Sequence, residues 1–514
     1  MSKLEKSLLT VRNATYADIS AIVQLGQKIY GENASDSKMV RGQISMFSAG
    51  QFVAEYEGKI VGHCATFIIQ GDIALKPHSW NEITGYGFAS RHDVDGDYLY
   101  GMEVCVDPDF RGLRIGQRLY NARKTLCQEY DLKGIVFGGR IPGYSRKRGK
   151  VESVEEYVKQ VQEKKFRDPV LGFQLSNDFE PIGVLKNYLP GDKASGGYAV
   201  HLLWRNPYMQ DLTQTKRNKQ RGRLPNMVRV ATVQFQVRKV TSEEQFERQM
   251  EYFVDVASDY SADFVCFPEM VTLALLSMEK ERLSPEQSVA RITEYTVRYV
   301  EFMQQLAISY NINIIGGSHP TRQKNGDIFN VCYVFLRDGS VHTQAKLHPT
   351  PNERYWWNIK GGSKLDAIET DCGPIGVQIC YDSEFPEPTR YLADQGAMIL
   401  FVPYCTDERQ GHLRVRYCSQ ARAVENQMYV VTAGVVGNLP DVENMDIHYA
   451  QSGIFSPCDF PFDRDGISAE CAANTEMIAF ADLRLESLIM SRNSGTVQNL
   501  KDRRFDLYRV DWKK

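Results

Sequence analysis

No stretch of the chain approaches the ~18 consecutive apolar residues of a membrane span, and the opening MSKLEKSLLTVRN lacks the apolar core of a secretory signal. An excess of one charge is missing too. With 61 basic against 64 acidic residues the net charge is −3, so nothing global points to nucleic acid or an anionic membrane. Eleven cysteines are present but no CxxC pair, and the nine histidines form no HExxH or HxxxH arrangement. These spacings argue against a disulfide framework and a zinc site, and no metal is expected. Cys266 in FVCF and Cys332 in NVCYVF read as buried apolar thiols. Repeats and low-complexity tracts are absent as well. A cytoplasmic globular protein is what these absences leave.

What is present is ordinary in proportion, 43% apolar and 24% charged, and too long at 514 residues for one hydrophobic core. The stretch with least pattern runs from Arg205 to Met227, with Pro near both ends and the basic run KRNKQRGR at Lys216–Arg223. A solvated linker is the simpler reading of that run than a phosphate contact. The expected organisation is a domain over 1–210, a linker over 211–227 and a domain over 228–514. Both halves alternate strand-like and helix-like segments, so the fold class is α/β throughout. In the first half QFVAEYEG, KIVGHCATFII and YLYGMEVCV read as strands, followed by a helix over Gly116–Glu129 and a strand over Gly134–Gly138. In the second, VRVATVQFQV and DFVCFPE read as strands around a helix capped by Ser242. A helix over Glu294–Tyr310, the strand INIIGG and a hairpin turning at Asp338–Gly339 come next.

Three reactive side chains in this second half stand at the ends of strand-like segments: Glu269 after DFVCFP, Lys346 after VHTQA, and Cys380 after PIGVQI. Reactive groups of α/β proteins collect at the C-terminal ends of strands. A thiol at a strand–helix turn would also feel the positive end of the following helix, which favours thiolate. Taken singly, Cys380 reads as a core thiol and Lys346 as a surface charge, whereas a carboxylate following FVCFP is costly to bury without a role.

In order, these segments resemble the signature of the nitrilase superfamily of carbon–nitrogen hydrolases: PE, K-x-H-P-T and C-Y-D-x-x-F-P-E. VRVATVQFQV, ARAVENQMYVV and SGIFSP extend the resemblance over essentially all of 228–490. The resemblance implies an αββα sandwich and a Glu269–Lys346–Cys380 triad, with Glu353 as a second, substrate-orienting glutamate. Glu269 would act as general base, and Lys346 with the backbone N–H of Tyr381 would hold the oxyanion. Tyr381-Asp382 after the nucleophile resembles the amidase and carbamoylase branches, so a small-molecule amide is expected rather than a nitrile.

In the first half MEVCVDPDFRGLRIGQRLY reads as strand, sharp turn and helix. Gly112 and Gly116 would let backbone N–H groups at the helix start approach an anion. The turn Arg111-Gly112-Leu113-Arg114-Ile115-Gly116 resembles the acetyl-CoA motif Q/R-x-x-G-x-G/A of the GNAT acyltransferases, over about residues 10–140. The resemblance implies an acetyl- or acyl-CoA co-substrate on these six residues and an amine acceptor. Arg114 stands where the family has its first glycine, Asp178 stands where a late turn often has Gly, and an insert spans Ile141–Asp168. Glu103 is a candidate base, though a strand glutamate at a solvated face is the plainer reading; Tyr144 and Tyr188 are candidate acids. The rival reading makes this half a CoA-sensing or docking module without turnover, and a scaffold with a dead site is a third. A homodimer or larger through the second half is expected from the resemblance. The Tyr- and Arg-rich HLRVRYCSQARAVEN and the apolar tail FDLYRVDWKK also fit an interface.

Overall fold

The computed structural model of the chain describes residues 8–31, 34–207, 227–440, 442 and 447–508. The expected linker, apart from Met227, lies outside the described residues, as do Val510 and Trp512 of the tail. Two compact units result, one before and one after that stretch.

The first unit is one sheet of β1 (Leu9–Asn13), β2 (Gln51–Tyr56), β3 (Lys59–Ile69), β4 (Tyr98–Val106), β5 (Gly134–Arg140), β6 (Glu180–Leu185) and β7 (Ala199–Arg205), in the order β1-β2-β3-β4-β5-β7-β6. Glu57 and Gly58, both at positive φ, form the two-residue turn of the β2–β3 hairpin. β4 and β5 run parallel, so the chain between them needs a crossover, supplied by helix Ile115–Glu129. These two strands pair only at Leu99↔Ile135 and Tyr100↔Val136. The crossover helix lays Ile115 and Leu119 on one face of the sheet, where a Cβ at Gly62 would come 2.8 Å from Ile115. The insert folds as helix Val154–Gln162, capped by Ser153. Buried Asp168 ties it down by accepting from the Tyr157 hydroxyl and the Gly143 N–H.

The second unit has two packed sheets. One run is β12 (Val341–Ala345), β11 (Ile328–Phe335), β10 (Asn313–Arg322), β9 (Phe264–Cys266) and β8 (Met227–Val237); the other is β16 (Tyr429–Gly437), β15 (Ile399–Tyr404) and β14 (Ile375–Val377). They join where Val435–Gly437 pairs with Phe235–Val237. Alternation decides the layers. Val228, Val230, Phe264, Cys266 and Ile315 pack against Ile375, Val377, Phe401 and Val431 between the sheets, with the rings of Phe264 and Phe401 5.2 Å apart. The opposite side chains of the first run, Ala231, Val233, Val265 and Ile314, face helices Glu243–Asp259 and Thr296–Tyr310. Helix Pro386–Asp394 covers the second sheet through Leu392. The layers are α, β, β, α, as expected. Among the described residues no helix is long and apolar enough to cross a membrane.

Candidate active site

Glu269, Lys346, Glu353 and Cys380 come from four separate segments and meet in one buried place. Glu269 stands three residues after the end of β9, Lys346 directly follows β12, and Glu353 lies in the short helix Pro351–Trp356. Thr350 caps that helix and donates its own backbone N–H to Glu353 Oε2, 2.7 Å. Lys346 is 1% exposed, and its Nζ sits 2.8 Å from Glu269 Oε1 and 2.7 Å from Glu353 Oε2. Asn330 on β11 donates its Nδ2 to both carboxylates, at 2.9 Å to Glu269 and 3.1 Å to Glu353. The remaining Glu269 oxygen accepts the Cys405 backbone N–H at 2.9 Å.

Cys380 is placed differently from the reading of its segment. The β14 ladder stops at Val377, and Cys380, at φ 49°, opens a one-turn 3-10 helix over Cys380–Glu384 rather than an α-helix. Left-handed backbone at a non-glycine residue costs ~1–2 kcal/mol and needs surrounding bonds to hold it. Asp382 provides them, since its buried carboxylate accepts from the N–H groups of Ile379, Leu347 and His348 and lies 2.9 Å from His348 Nδ1. Arg422 on helix Arg409–Glu425 donates to the carbonyls of Ser383 and Glu384, both at 3.1 Å. Tyr381 follows in the first turn of the 3-10 helix, where N–H groups lack intrahelical acceptors.

Burial pushes the Cys380 thiol well above its ordinary range, and Glu269 adds to it. The expectation that the dipole of a following helix favours thiolate is therefore corrected: only a five-residue 3-10 helix starts at Cys380, and burial and Glu269 raise the thiol against the pull of Lys346. Burial also pushes Glu269 up, against the pull of Lys346. On Glu353 burial acts in the same sense and is the largest single influence, but Lys346, the Thr350 N–H and Asn330 together outweigh it and hold the carboxyl below its usual value. Burial works against the Lys346 ammonium, and the two glutamates overcome it, raising Lys346 well above the ordinary lysine range. One lysine thus stands between two carboxylates shifted in opposite directions, Glu269 up and Glu353 down.

In the first unit the turn Arg111–Gly116 leads into helix Ile115–Glu129. Gly112 has φ 93° and open space where a Cβ would lie. Arg114 takes φ 48°, a glycine-like conformation at the position where the resembled motif has glycine. Arg111 is exposed, and Leu113 is half-buried. Ile115 is buried against β3, and a Cβ at Gly116 would come 3.1 Å from the Phe173 ring, so that glycine makes room for helix Pro169–Leu175. The turn at Asp178 has φ 63°, the conformation glycine would adopt freely. Glu103 is not at a solvated face; burial raises its carboxyl, and Ser35 Oγ donates to it at 3.3 Å. Tyr144 is buried, and Tyr188 is buried with its hydroxyl 3.0 Å from that of Tyr100.

The carbon–nitrogen hydrolase family matches residues 229–490 and the acetyltransferase (GNAT) family residues 19–138. "Probable hydrolase YhcX" of Bacillus subtilis is 47% identical over 515 aligned residues, covering 100% of this chain and 99% of that protein. The chain belongs to the carbon–nitrogen hydrolase family. "Uncharacterized N-acetyltransferase YkwB" of the same organism is 32% identical, over 39% of this chain and 90% of its own length. "Omega-amidase NIT3" of Saccharomyces cerevisiae is 31% identical, over 41% of this chain and 71% of its own length. This carbon–nitrogen hydrolase therefore carries a GNAT domain ahead of its hydrolase domain. Sequence reasoning missed Asn330, Asp382, Arg422 and the Cys405 N–H as parts of the hydrolase site. Asp382 and Arg422 lie inside the quoted motifs C-Y-D and ARAVEN, which offered a signal; Asn330 and Cys405 offered none.

Proposed function

We propose that the hydrolase domain cleaves a small-molecule amide through an acyl-thioester on Cys380. The opposed tendencies of Glu269 and Glu353 around Lys346 support this reading most strongly, since carboxylates pushed apart divide acid–base work from electrostatic work. Glu269 takes the proton from Cys380 Sγ, and the sulfur attacks the amide carbonyl. Lys346 Nζ and the Tyr381 N–H stabilise the oxyanion, each worth about 3–4 kcal/mol. As the carbon–nitrogen bond breaks, Glu269 returns its proton to the leaving nitrogen. It then deprotonates the water that cleaves the thioester. Glu353 remains charged, orienting substrate and holding Lys346. An amide rather than a nitrile is favoured by Tyr381-Asp382 and by the omega-amidase name of a relative. Ammonia release over a panel of amides, ureas and nitriles, with Cys380→Ala as blank, tests it. Amide turnover lost in that variant is expected; turnover of nitriles alone contradicts the substrate class.

In the same reading the division falls at 211–227, and the GNAT domain acylates an amine that the hydrolase releases or consumes. The open Gly112 position and the first-turn N–H groups of helix Ile115–Glu129 fit a pyrophosphate. When bound there, acyl-CoA supplies an activated acyl thioester. Calorimetry with acetyl-CoA should show saturable binding, weakened at least tenfold in Gly112→Val because φ 93° excludes a β-branched residue. No binding by wild type reduces the domain to a docking module. The protein is proposed to work in the cytoplasm as a homodimer or larger joined through the hydrolase domain. Tyr417 on helix Arg409–Glu425 and Phe505 and Leu507 in the tail are exposed, which gives apolar surface to cover.

A further inference from the structure

A polar cluster lies in the GNAT domain apart from the turn Arg111–Gly116. In the β3–β4 pairing His63 stands directly opposite Cys105, and Glu103, two residues from Cys105, stands opposite Ala65. Residues opposite each other and residues two apart share a face of a sheet, so His63, Cys105 and Glu103 project to the same side. Gly62, which alternates with His63, faces helix Ile115–Glu129; the three therefore point to the other side, where Ser35 reaches Glu103. One ligand-capable atom from each lies within 4.8 Å of the others. The fourth corner of this cross-strand rectangle is the buried Ala65, whose side chain offers no ligand atom.

Two features of the cluster are unusual for a packed core. His63 is 1% exposed, yet its Nε2 has no hydrogen-bond partner among the described residues. The Glu103 carboxylate, partly buried, receives the Ser35 hydroxyl at 3.3 Å, a weak return for its desolvation. Unsatisfied buried polar groups cost ~1–3 kcal/mol each and call for an explanation. An imidazole, a thiol and a carboxylate converging at this spacing are donor types that a zinc ion takes.

We propose that His63, Glu103 and Cys105 form a zinc(II) site, with water as fourth ligand. Binding forms one nitrogen, one sulfur and one oxygen bond to the metal, and the Cys105 thiol proton leaves to solvent. A tetrahedral centre with bonds of ~2.0–2.3 Å sets its ligand atoms roughly 3.3–3.8 Å apart, so atoms now within 4.8 Å of one another close by at most about 1.5 Å. Thiolate and carboxylate balance the divalent charge. The spacing of histidines and cysteines along the sequence hides such a site because its ligands come from two paired strands.

The test is metal binding by the full chain after chelator treatment. One zinc per chain is expected, with X-ray absorption showing one sulfur and otherwise nitrogen or oxygen neighbours. Cobalt(II) in place of zinc should give a thiolate charge-transfer band, lost in Cys105→Ser. His63→Gln should weaken zinc binding at least tenfold, with circular dichroism confirming that both variants are folded. Cys380→Ala should keep the metal. The proposal is overturned if folded wild type binds no zinc, if its zinc has no sulfur neighbour, or if Cys380→Ala releases it. Because wild type and Cys380→Ala decide the matter, misfolding of a ligand variant does not rescue it.

Discussion

Asn330 holds both glutamates with one amide nitrogen, so it is a positioning residue whose loss should be read in rate and in pH profile together. Hydrogen bonds to charged groups contribute ~1.5–3 kcal/mol, and Asn330→Ala should lower kcat about 10- to 100-fold. Removing a donor also favours protonation of the carboxylates, so the acid limb of the profile should move to higher pH; a rate loss without that shift would point to a merely structural role. The wild-type limb has its own sign. Glu269 must be ionised to take the thiol proton, and burial raises its carboxyl. Activity is therefore present above its folded-state value and lost as pH falls through it, with a midpoint above the ordinary ~4.3 of glutamate. Glu353 behaves oppositely. Its lowered value contributes stability above the unfolded range, lost as pH falls towards the folded one. Glu353→Gln should destabilise the protein by about 3–5 kcal/mol near neutral pH, and denaturation followed to lower pH should show that gap closing.

Arg422 shows what an element contributes beyond its own packing. Helix Arg409–Glu425 uses it to bind the carbonyls of Ser383 and Glu384 through Nε and Nη2, while Nη1 reaches Glu425 at 2.9 Å. A planar fork is needed for three acceptors, so Arg422→Lys should recover little of what Arg422→Ala loses. Both should lower Tm and kcat, because the turn holding Cys380 at positive φ loses its support; a lysine variant with wild-type Tm and rate would contradict this. Such couplings mark the limit of what the sequence reveals. The strands, the hairpin at Asp338–Gly339 and the Ser242 cap are local, set by alternation, turn residues and capping, and they were legible. The three-residue length of β14 and the 3-10 turn at Cys380 were not. There, tertiary bonds from Asp382 and Arg422 impose a backbone that local preference would not choose. Asn330 is 61 residues from Glu269 and Cys405 is 136 away, and no spacing announces contacts of that range.

At the scale of the whole molecule the sequence resemblance carried both families and their order, because motifs fixed by chemistry survive in sequence. Which surface meets a partner is a different matter, since exposed residues such as Tyr417 and Phe505 obey no such constraint. Sedimentation at micromolar concentration should give a mass of at least twice 58.5 kDa; a monomer would contradict the proposed assembly. The central claim, an acyl group carried by Cys380, is tested most directly by intact-mass spectrometry of enzyme quenched with acid during turnover of an amide. The expected result is a mass increase equal to the acyl group, mapped to the Cys380 peptide and absent from Cys380→Ala. An adduct on another residue, or ammonia release by Cys380→Ala near the wild-type rate, would contradict it.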